Sequence, residues 1–315
     1  MRPAGVCRRE FLASLAAVAG IAGLGGNAFA ASRLASGEPS TTALGTAKLR
    51  AAHQILEYPR VLHDPFAMRI LGRGGEAELR ALLAEYQRPE LRGLRAALVL
   101  RSRYADDRFD AAVRRGVRQC VVLGAGLDTF AYRNQYPERM LRVFEIDHPA
   151  TQGWKRARLG ETGIALPPSL TFAPVDFERE PLADGLERAG FRREHPAFFS
   201  WLGVTMYLSD AAVMGTLRLV ASLPPDSEVV FDFSVPASML SEAQQERRKA
   251  AAGRVARAGE PWITFFEPQA LIERLRKAGF SETEYLDPQE ANRRYFAGRS
   301  DGFRASGAHS MAARV

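Results

Sequence analysis

Cys120-Val121-Val122-Leu123-Gly124-Ala125-Gly126-Leu127-Asp128-Thr129 decides how this chain is read. A run of apolar residues, preceded by Gly116, passes into a turn carrying two glycines one residue apart. Such a run reads as a buried strand, and glycines at its end let the backbone approach a ligand without a Cβ in the way. Outward from it lie four more runs of the same kind: 141–146 before Asp147, 170–175 before Asp176, 197–202, and 228–233. Pro174 inside the third run cannot donate to a ladder, which marks an outer strand. Helix-patterned segments follow at 211–223 and 269–278, and 281–286 and 309–315 read as two last strands joined by a loop. Strands alternating with helices require right-handed crossovers and so a parallel sheet covered on both faces. The expectation is an α/β fold with one doubly wound sheet. Residues 41–112 have helical spacing, broken at Asp64-Pro65, and are expected to form an N-terminal helical cap; the Arg/Gln/Glu-rich stretch 237–266 is expected to be a lid-like insertion.

The chemistry gathers at the ends of the first three strands. A dinucleotide turn would place a third glycine three positions after Gly126, to seat a pyrophosphate on the helix N-terminus. That position holds Thr129. Asp147 follows Gly126 by 21 residues, where a carboxylate can accept hydrogen bonds from both hydroxyls of a ribose. Asp176 closes the third strand within reach of an adenine amino group, with Phe177 set against the ring. This pattern suits a nucleoside without phosphates: S-adenosylmethionine fits, and a nicotinamide dinucleotide fits less well. A catalytically silent nucleoside-binding protein and an NAD(P)-dependent oxidoreductase are the competing readings.

The segments Arg101-Ser-Arg-Tyr-Ala-Asp-Asp, Val121-Val-Leu-Gly-Ala-Gly-Leu-Asp-Thr and Val143-Phe-Glu-Ile-Asp-His-Pro-Ala-Thr-Gln together resemble the leucine carboxyl methyltransferase family, in particular its bacterial branch of S-adenosylmethionine-dependent enzymes. Val175-Asp-Phe-Glu, Trp201-Leu-Gly-Val-Thr-Met-Tyr-Leu and Tyr295-Phe-Ala-Gly-Arg-Ser-Asp-Gly extend the likeness across about residues 41–315. The resemblance implies a class I methyltransferase fold, seven strands with the last antiparallel, and methyl transfer to an oxygen, carboxylate or hydroxyl, of a small-molecule acceptor. By matching position it implies that Gly124 and Gly126 line the cofactor, Asp147 holds its ribose, Asp176 and Phe177 sit at the adenine, and Arg101 grips the methionine carboxylate, with Arg103 as the fallback. Lys48 or Arg50 would share that task. Tyr207, just past the fourth strand, is the residue expected nearest the transferring methyl. One position departs from the family: where its carboxyl methyltransferases carry a glutamate near the cofactor's amino group, this chain has Leu202.

Composition narrows the alternatives. The chain has 315 residues, 46% hydrophobic and 25% charged, which suffices for a sizeable core and excludes whole-chain disorder. Its net charge is +7, but the basic residues, nearly all arginine, are scattered among glutamates and alanines, so no nucleic acid is expected. Five histidines show no metal-ligand spacing, and Gly-x-Ser-x-Gly and Walker patterns are missing. Residues 1–30 read as an export signal of the twin-arginine type: Arg8-Arg9 ahead of Phe11-Leu12, a Gly/Ala-rich apolar stretch too short for a stable membrane span, and Ala28-Phe29-Ala30 before a cleavage point. Residues 31–40 then form a linker. An exported or periplasmic location follows, with a cytoplasmic one as the alternative. Cleavage would remove Cys7 and leave Cys120 as the one thiol, so no disulfide framework is expected.

Overall fold

The computed structural model describes residues 40–177, 180–257 and 261–315, so residues 1–30, expected to be an export signal, and nearly all of the expected linker lie outside the described residues. Seven strands make one sheet: β1 (Gln119–Leu123), β2 (Arg142–Asp147), β3 (Leu170–Pro174), β4 (Ala197–Trp201), β5 (Glu228–Asp232), β6 (Glu282–Leu286) and β7 (Ser310–Arg314). Their order is β3-β2-β1-β4-β5-β7-β6. The first five pair in parallel, and β7 slots between β5 and β6 antiparallel to both. This is the class I methyltransferase arrangement. β3 is an edge strand, as Pro174 requires, and its ladder ends with Pro174 opposite Asp147.

All five residues of β1 are buried. Cys120 and Val122 join Val143, Phe198 and Val230 in a core on one face. Val121 and Leu123 join Phe144, Ile146, Phe199 and Phe231 in a core on the other. A strand covered on both sides has no polar face to show, which is why its sequence is a continuous apolar run rather than an alternating one. The first face is covered by α1 (Thr41–Leu56) and by α4 (Pro89–Arg114), with α2 (Arg73–Ala81) and the short α3 (Leu83–Tyr86) between them in the chain. Helix α4 closes the helical region expected over 41–112, ending at Arg114, and Tyr104, Phe109, Ala112 and Val113 keep an apolar stripe on the sheet along its second half.

Ionic contacts lock this helical layer. Arg95 on α4, 1% exposed, bonds both carboxylate oxygens of Glu57, while His53 Nδ1 lies 3.0 Å from the same carboxylate. His53 Nε2 accepts from the amides of Val61 and Leu62, so the proton is assigned to Nδ1. The Arg95 and His53 contacts hold Glu57 below the ordinary carboxylate range even though burial works the other way. Further on, α5 (Phe130–Arg133) follows the glycine turn and α6 (Pro149–Thr162) follows β2; α7 (Leu182–Arg188) precedes β4 and α8 (Asp210–Ala221) follows it. Within 237–266 a one-turn helix (Ala237–Met239) and α9 (Glu242–Arg257) are followed by an extended segment, and α10 (Pro268–Ala278) leads to β6.

The connection after β6 differs from the simple loop expected there. It contains α11 (Pro288–Tyr295), whose first turn is capped by Asp287 accepting from the amides of Gln289 and Glu290. An Asp N-cap followed by proline at the first helical position is a start signal that the short polar sequence around it obscures. α6 starts similarly, with His148 as cap and Pro149 next, and stops at Gly163 with φ +64°.

Candidate active site

The order of strands reverses between β1 and β4, and such a switch point opens a crevice at the carboxyl ends of the strands. Gly124 and Gly126 sit there with φ of +66° and +44°, in the left-handed region that glycine tolerates. The amides of Gly124 and Ala125 both donate to Ile146 O, folding the turn over the end of β2. A Cβ on Gly126 would stand 3.1 Å from Ala43 Cβ, so α1 lies directly over the turn.

Asp147 is reached from the same turn: the Gly126 amide donates to Oδ2 and the His148 amide to Oδ1 at 2.7 Å. Its enclosure raises the carboxyl above the usual carboxylate range, and the two amides oppose that shift. With about four lone-pair positions on two oxygens, the carboxylate has acceptor capacity left for two hydroxyls. His148, given no role from sequence, stands beside it: Nδ1 accepts from the Ala150 amide, and Nε2 is 3.9 Å from Asp176 Oδ2. Asp147 thus holds the backbone of His148 while Asp176 stands near its imidazole. Phe177 is half-buried and leans on the second core. This set, from Gly124 to Phe177, is the part of the expected site that the fold brings to the ends of three adjacent strands.

Below it the structure is ionic and buried. Glu145 on β2 and Lys155 on α6 pair at 2.7 Å, each 1% exposed. Burial pushes the Glu145 carboxyl up to about 7, against the pull of Lys155. Asp128 accepts from the Phe130 amide at the start of α5; despite its burial, Arg50, Arg133 and Lys155 hold it below the ordinary range. Arg50 donates to Leu127 O at 2.6 Å and pairs with Asp64 at 2.7 Å, so it ties α1 to the glycine turn. Lys48 pairs with Glu78 at 3.0 Å.

The arginines expected at the methionine end separate. Arg101 points to the strand ends, where Nη1 is 3.0 Å from Asp232 Oδ2 on β5. Arg103, two positions on around the helix, faces outward, bonding Asp107 at 2.8 Å in a polar groove with Arg60 and Tyr295. Tyr207 ends a one-turn helix (Thr205–Tyr207), which Thr205 ties to Asp232 O at 2.6 Å. Leu202 is half-buried against the first core and borders a small cavity with Ser102, Asp128 and Ser200. Sequence reasoning missed Asp232 and Gly203, whose amide donates to Asp232 Oδ1. It also missed the extended segment near Tyr207, where the amide of Ile263 donates to Met206 O at 2.8 Å and that of Phe266 to Ser234 O at 2.8 Å. No short motif marks either contact. Among the described residues, no group of His, Cys, Asp or Glu is arranged to hold a metal ion, and no helix is long and apolar enough to cross a membrane.

The strand order is that of class I methyltransferases, and the glycine turn and strand-end acids stand together at its switch point. The sequence profile described as leucine carboxyl methyltransferase matches residues 43–221, and the chain belongs to that family. Two relatives bear the name "Putative S-adenosyl-L-methionine-dependent methyltransferase". That from Bacillus subtilis, YktD, is 35% identical over 60% of this chain and 62% of its own length. That from Mycolicibacterium paratuberculosis is 33% identical over 68% of this chain and 69% of its own. A solved structure from Thermobifida fusca, described as a "putative methyltransferase", shares the fold with a TM-score of 0.51 at 18% identity, covering 89% of this chain and 96% of that one. The match to the Bacillus relative thus spans a little under two thirds of that protein.

Proposed function

We propose that this protein methylates an oxygen, carboxylate or hydroxyl, of a small-molecule acceptor, with S-adenosylmethionine as donor. The observation that carries the cofactor assignment is the joint geometry of Gly126 and Asp147: a turn with two left-handed glycines, closed by a carboxylate that keeps free acceptor positions. Bound there, the cofactor supplies a methyl group on a sulfonium, open to in-line displacement. The work left to the chain is positioning and exclusion of water. Asp147 takes the ribose hydroxyls, Asp176 and Phe177 take the adenine, and Arg101 takes the methionine carboxylate, for which a planar guanidinium is suited. Tyr207 borders the methyl from the β4 side. A carboxylate acceptor is already nucleophilic and needs no base; a hydroxyl acceptor needs a proton acceptor in reach.

Leu202 supports a second reading, a nucleoside-binding homologue that no longer turns over. Incubation of the protein with methyl-labelled S-adenosylmethionine and a panel of carboxylic acids and phenols separates the two. Label in an acid- or phenol-derived product supports transfer, and tight binding without transfer to any member supports the silent reading. The twin-arginine-type sequence supports export of the folded protein. Cell fractionation is expected to find processed protein in the periplasm, and an unprocessed, wholly cytoplasmic pool would contradict this.

A further inference from the structure

β4 and β5 run in parallel with Trp201 opposite Phe231, so the next residues, Leu202 and Asp232, stand side by side at the strand ends. Side chains alternate along a strand, and Val230 belongs to the core under α4; Asp232, two residues on, points to that same face, where Leu202 also packs. Arg101 comes down from α4 onto this spot. It reaches Asp232 through Nη1 alone, and its remaining guanidinium donors have no hydrogen-bond partner among the described residues. Asp232 in turn uses one oxygen for Arg101 and the other for the Gly203 amide.

Gly203 makes the room. Its φ is +75°, and a Cβ there would stand 2.6 Å from Arg101 Nη2 and 2.8 Å from Nη1. The guanidinium thus lies across a position that only glycine leaves open. The pair is not sealed: the Arg101 and Asp232 side chains are 15% and 14% exposed. A structural ion pair closes its charges off from other partners, whereas this one shows a set of spare N–H donors next to a carboxylate with spare lone pairs.

We propose that Asp232 and Arg101 together form the subsite for the zwitterionic amino-acid end of the cofactor, Arg101 donating to its carboxylate and Asp232 accepting from its ammonium group. The carboxylate that is missing at Leu202 is then supplied from the neighbouring strand. This assignment rests on the S-adenosylmethionine reading above and goes beyond it by naming the acceptor for the amino group.

The test uses the full chain and three probes in titration calorimetry: S-adenosylhomocysteine, its analogue with hydrogen in place of the amino group, and 5′-methylthioadenosine, which lacks the amino acid. Asp232→Asn keeps the size of the side chain and an acceptor for the Gly203 amide. It is expected to weaken S-adenosylhomocysteine by about tenfold to a hundredfold, the range for a charge-assisted hydrogen bond. The deaminated analogue and methylthioadenosine should change by less than about threefold, well under that range. Arg101→Met is expected to weaken both carboxylate-bearing probes and spare methylthioadenosine. Equal weakening of all three probes by Asp232→Asn would make the pair a structural tie and overturn the proposal, as would no weakening at all. If the unaltered protein binds neither S-adenosylhomocysteine nor methylthioadenosine, the cofactor reading itself fails, and that result is distinct from any produced by the variants.

Discussion

The two halves of the strand-end rim are built differently. Around β1, β2 and β3 the rim consists of backbone amides and short acids resting on buried ion pairs, Glu145 with Lys155 and Arg50 with Asp64. Beyond β4 and β5 it is an extended segment hung by backbone hydrogen bonds, with Ile263 55% and Phe265 39% exposed and Thr264 and Phe266 turned inward. Met239 is exposed as well, and Arg248 of α9 reaches both Val235 O and the face of Phe265. A site for an invariant cofactor benefits from rigidity, because its donors and acceptors must be in place before binding. An apolar, loosely covered rim suits an acceptor whose shape sets the specificity. We propose that the first half takes the nucleoside of the cofactor and the extended segment of the second takes the acceptor, with the cofactor's amino-acid end between them at Arg101 and Asp232.

The largest effect is expected where the rigid half is broken from beneath. Lys155→Met leaves Glu145 without its partner; since that carboxyl already titrates near 7, it can take up a proton, and the loss is expected near the low end for a broken buried pair, about 3 kcal/mol. Chemical denaturation measures it, and a change below about 1 kcal/mol, the level of an ordinary substitution, would deny the pair its supporting role. Gly124→Ala forces a side chain into the left-handed region, with Cβ 2.4 Å from Val204 Cγ2. Backbone strain alone costs about 1–3 kcal/mol, and S-adenosylhomocysteine affinity is expected to fall by about tenfold to a hundredfold. Asp147→Ala removes the acceptor for the ribose and should cost about tenfold or more in the same titration.

On the extended segment beyond β4 and β5 the same titration should hardly respond. Phe265→Ala and Ile263→Ala are expected to leave the affinity for S-adenosylhomocysteine within about twofold, as exposed positions away from a binding site do. Once an acceptor is known, its KM should change more than that; a reversed pattern would dissolve the division between the halves. A separate effect concerns pH. His309, bonded to Tyr285 at 2.6 Å behind β5, is lowered from 6.5 to about 4 by burial. The unfolded chain therefore binds the proton more readily between those values, and stability falls as pH drops through this window. Melting curves at pH 7.5 and 4.5 should differ less for His309→Phe than for the unaltered protein; equal differences would remove His309 as a cause.

The same contrast explains what the sequence disclosed. β1, the glycine turn and Asp147 lie within one βαβ unit, where residues that act together are close in sequence, so their spacing was legible. The five parallel strands were legible as short apolar runs, and Pro174 even told which lay at the edge; β6, Glu-Thr-Glu-Tyr-Leu, carries no such run. Arg101 and Asp232 are 131 positions apart and meet only because α4 crosses β5, so no spacing announces them. The helix at Pro288–Tyr295 was hidden for another reason: its body, Gln-Glu-Ala-Asn-Arg-Arg, is almost wholly polar, and only its capping residues speak for it. Of the two candidate arginines, sequence offered Arg101 first and Arg103 as the fallback; helix geometry turns Arg101 to the strand ends and Arg103 to the outside.

The central claim is that the Gly124–Asp147 turn holds S-adenosylmethionine. Titration calorimetry of the protein with S-adenosylmethionine and S-adenosylhomocysteine, with NADH as the control, tests it most directly. The account predicts saturable binding of both methionine-derived ligands in the micromolar range, about −8 kcal/mol, and none of NADH. Binding of NADH in their place, or of none of the three, would contradict it.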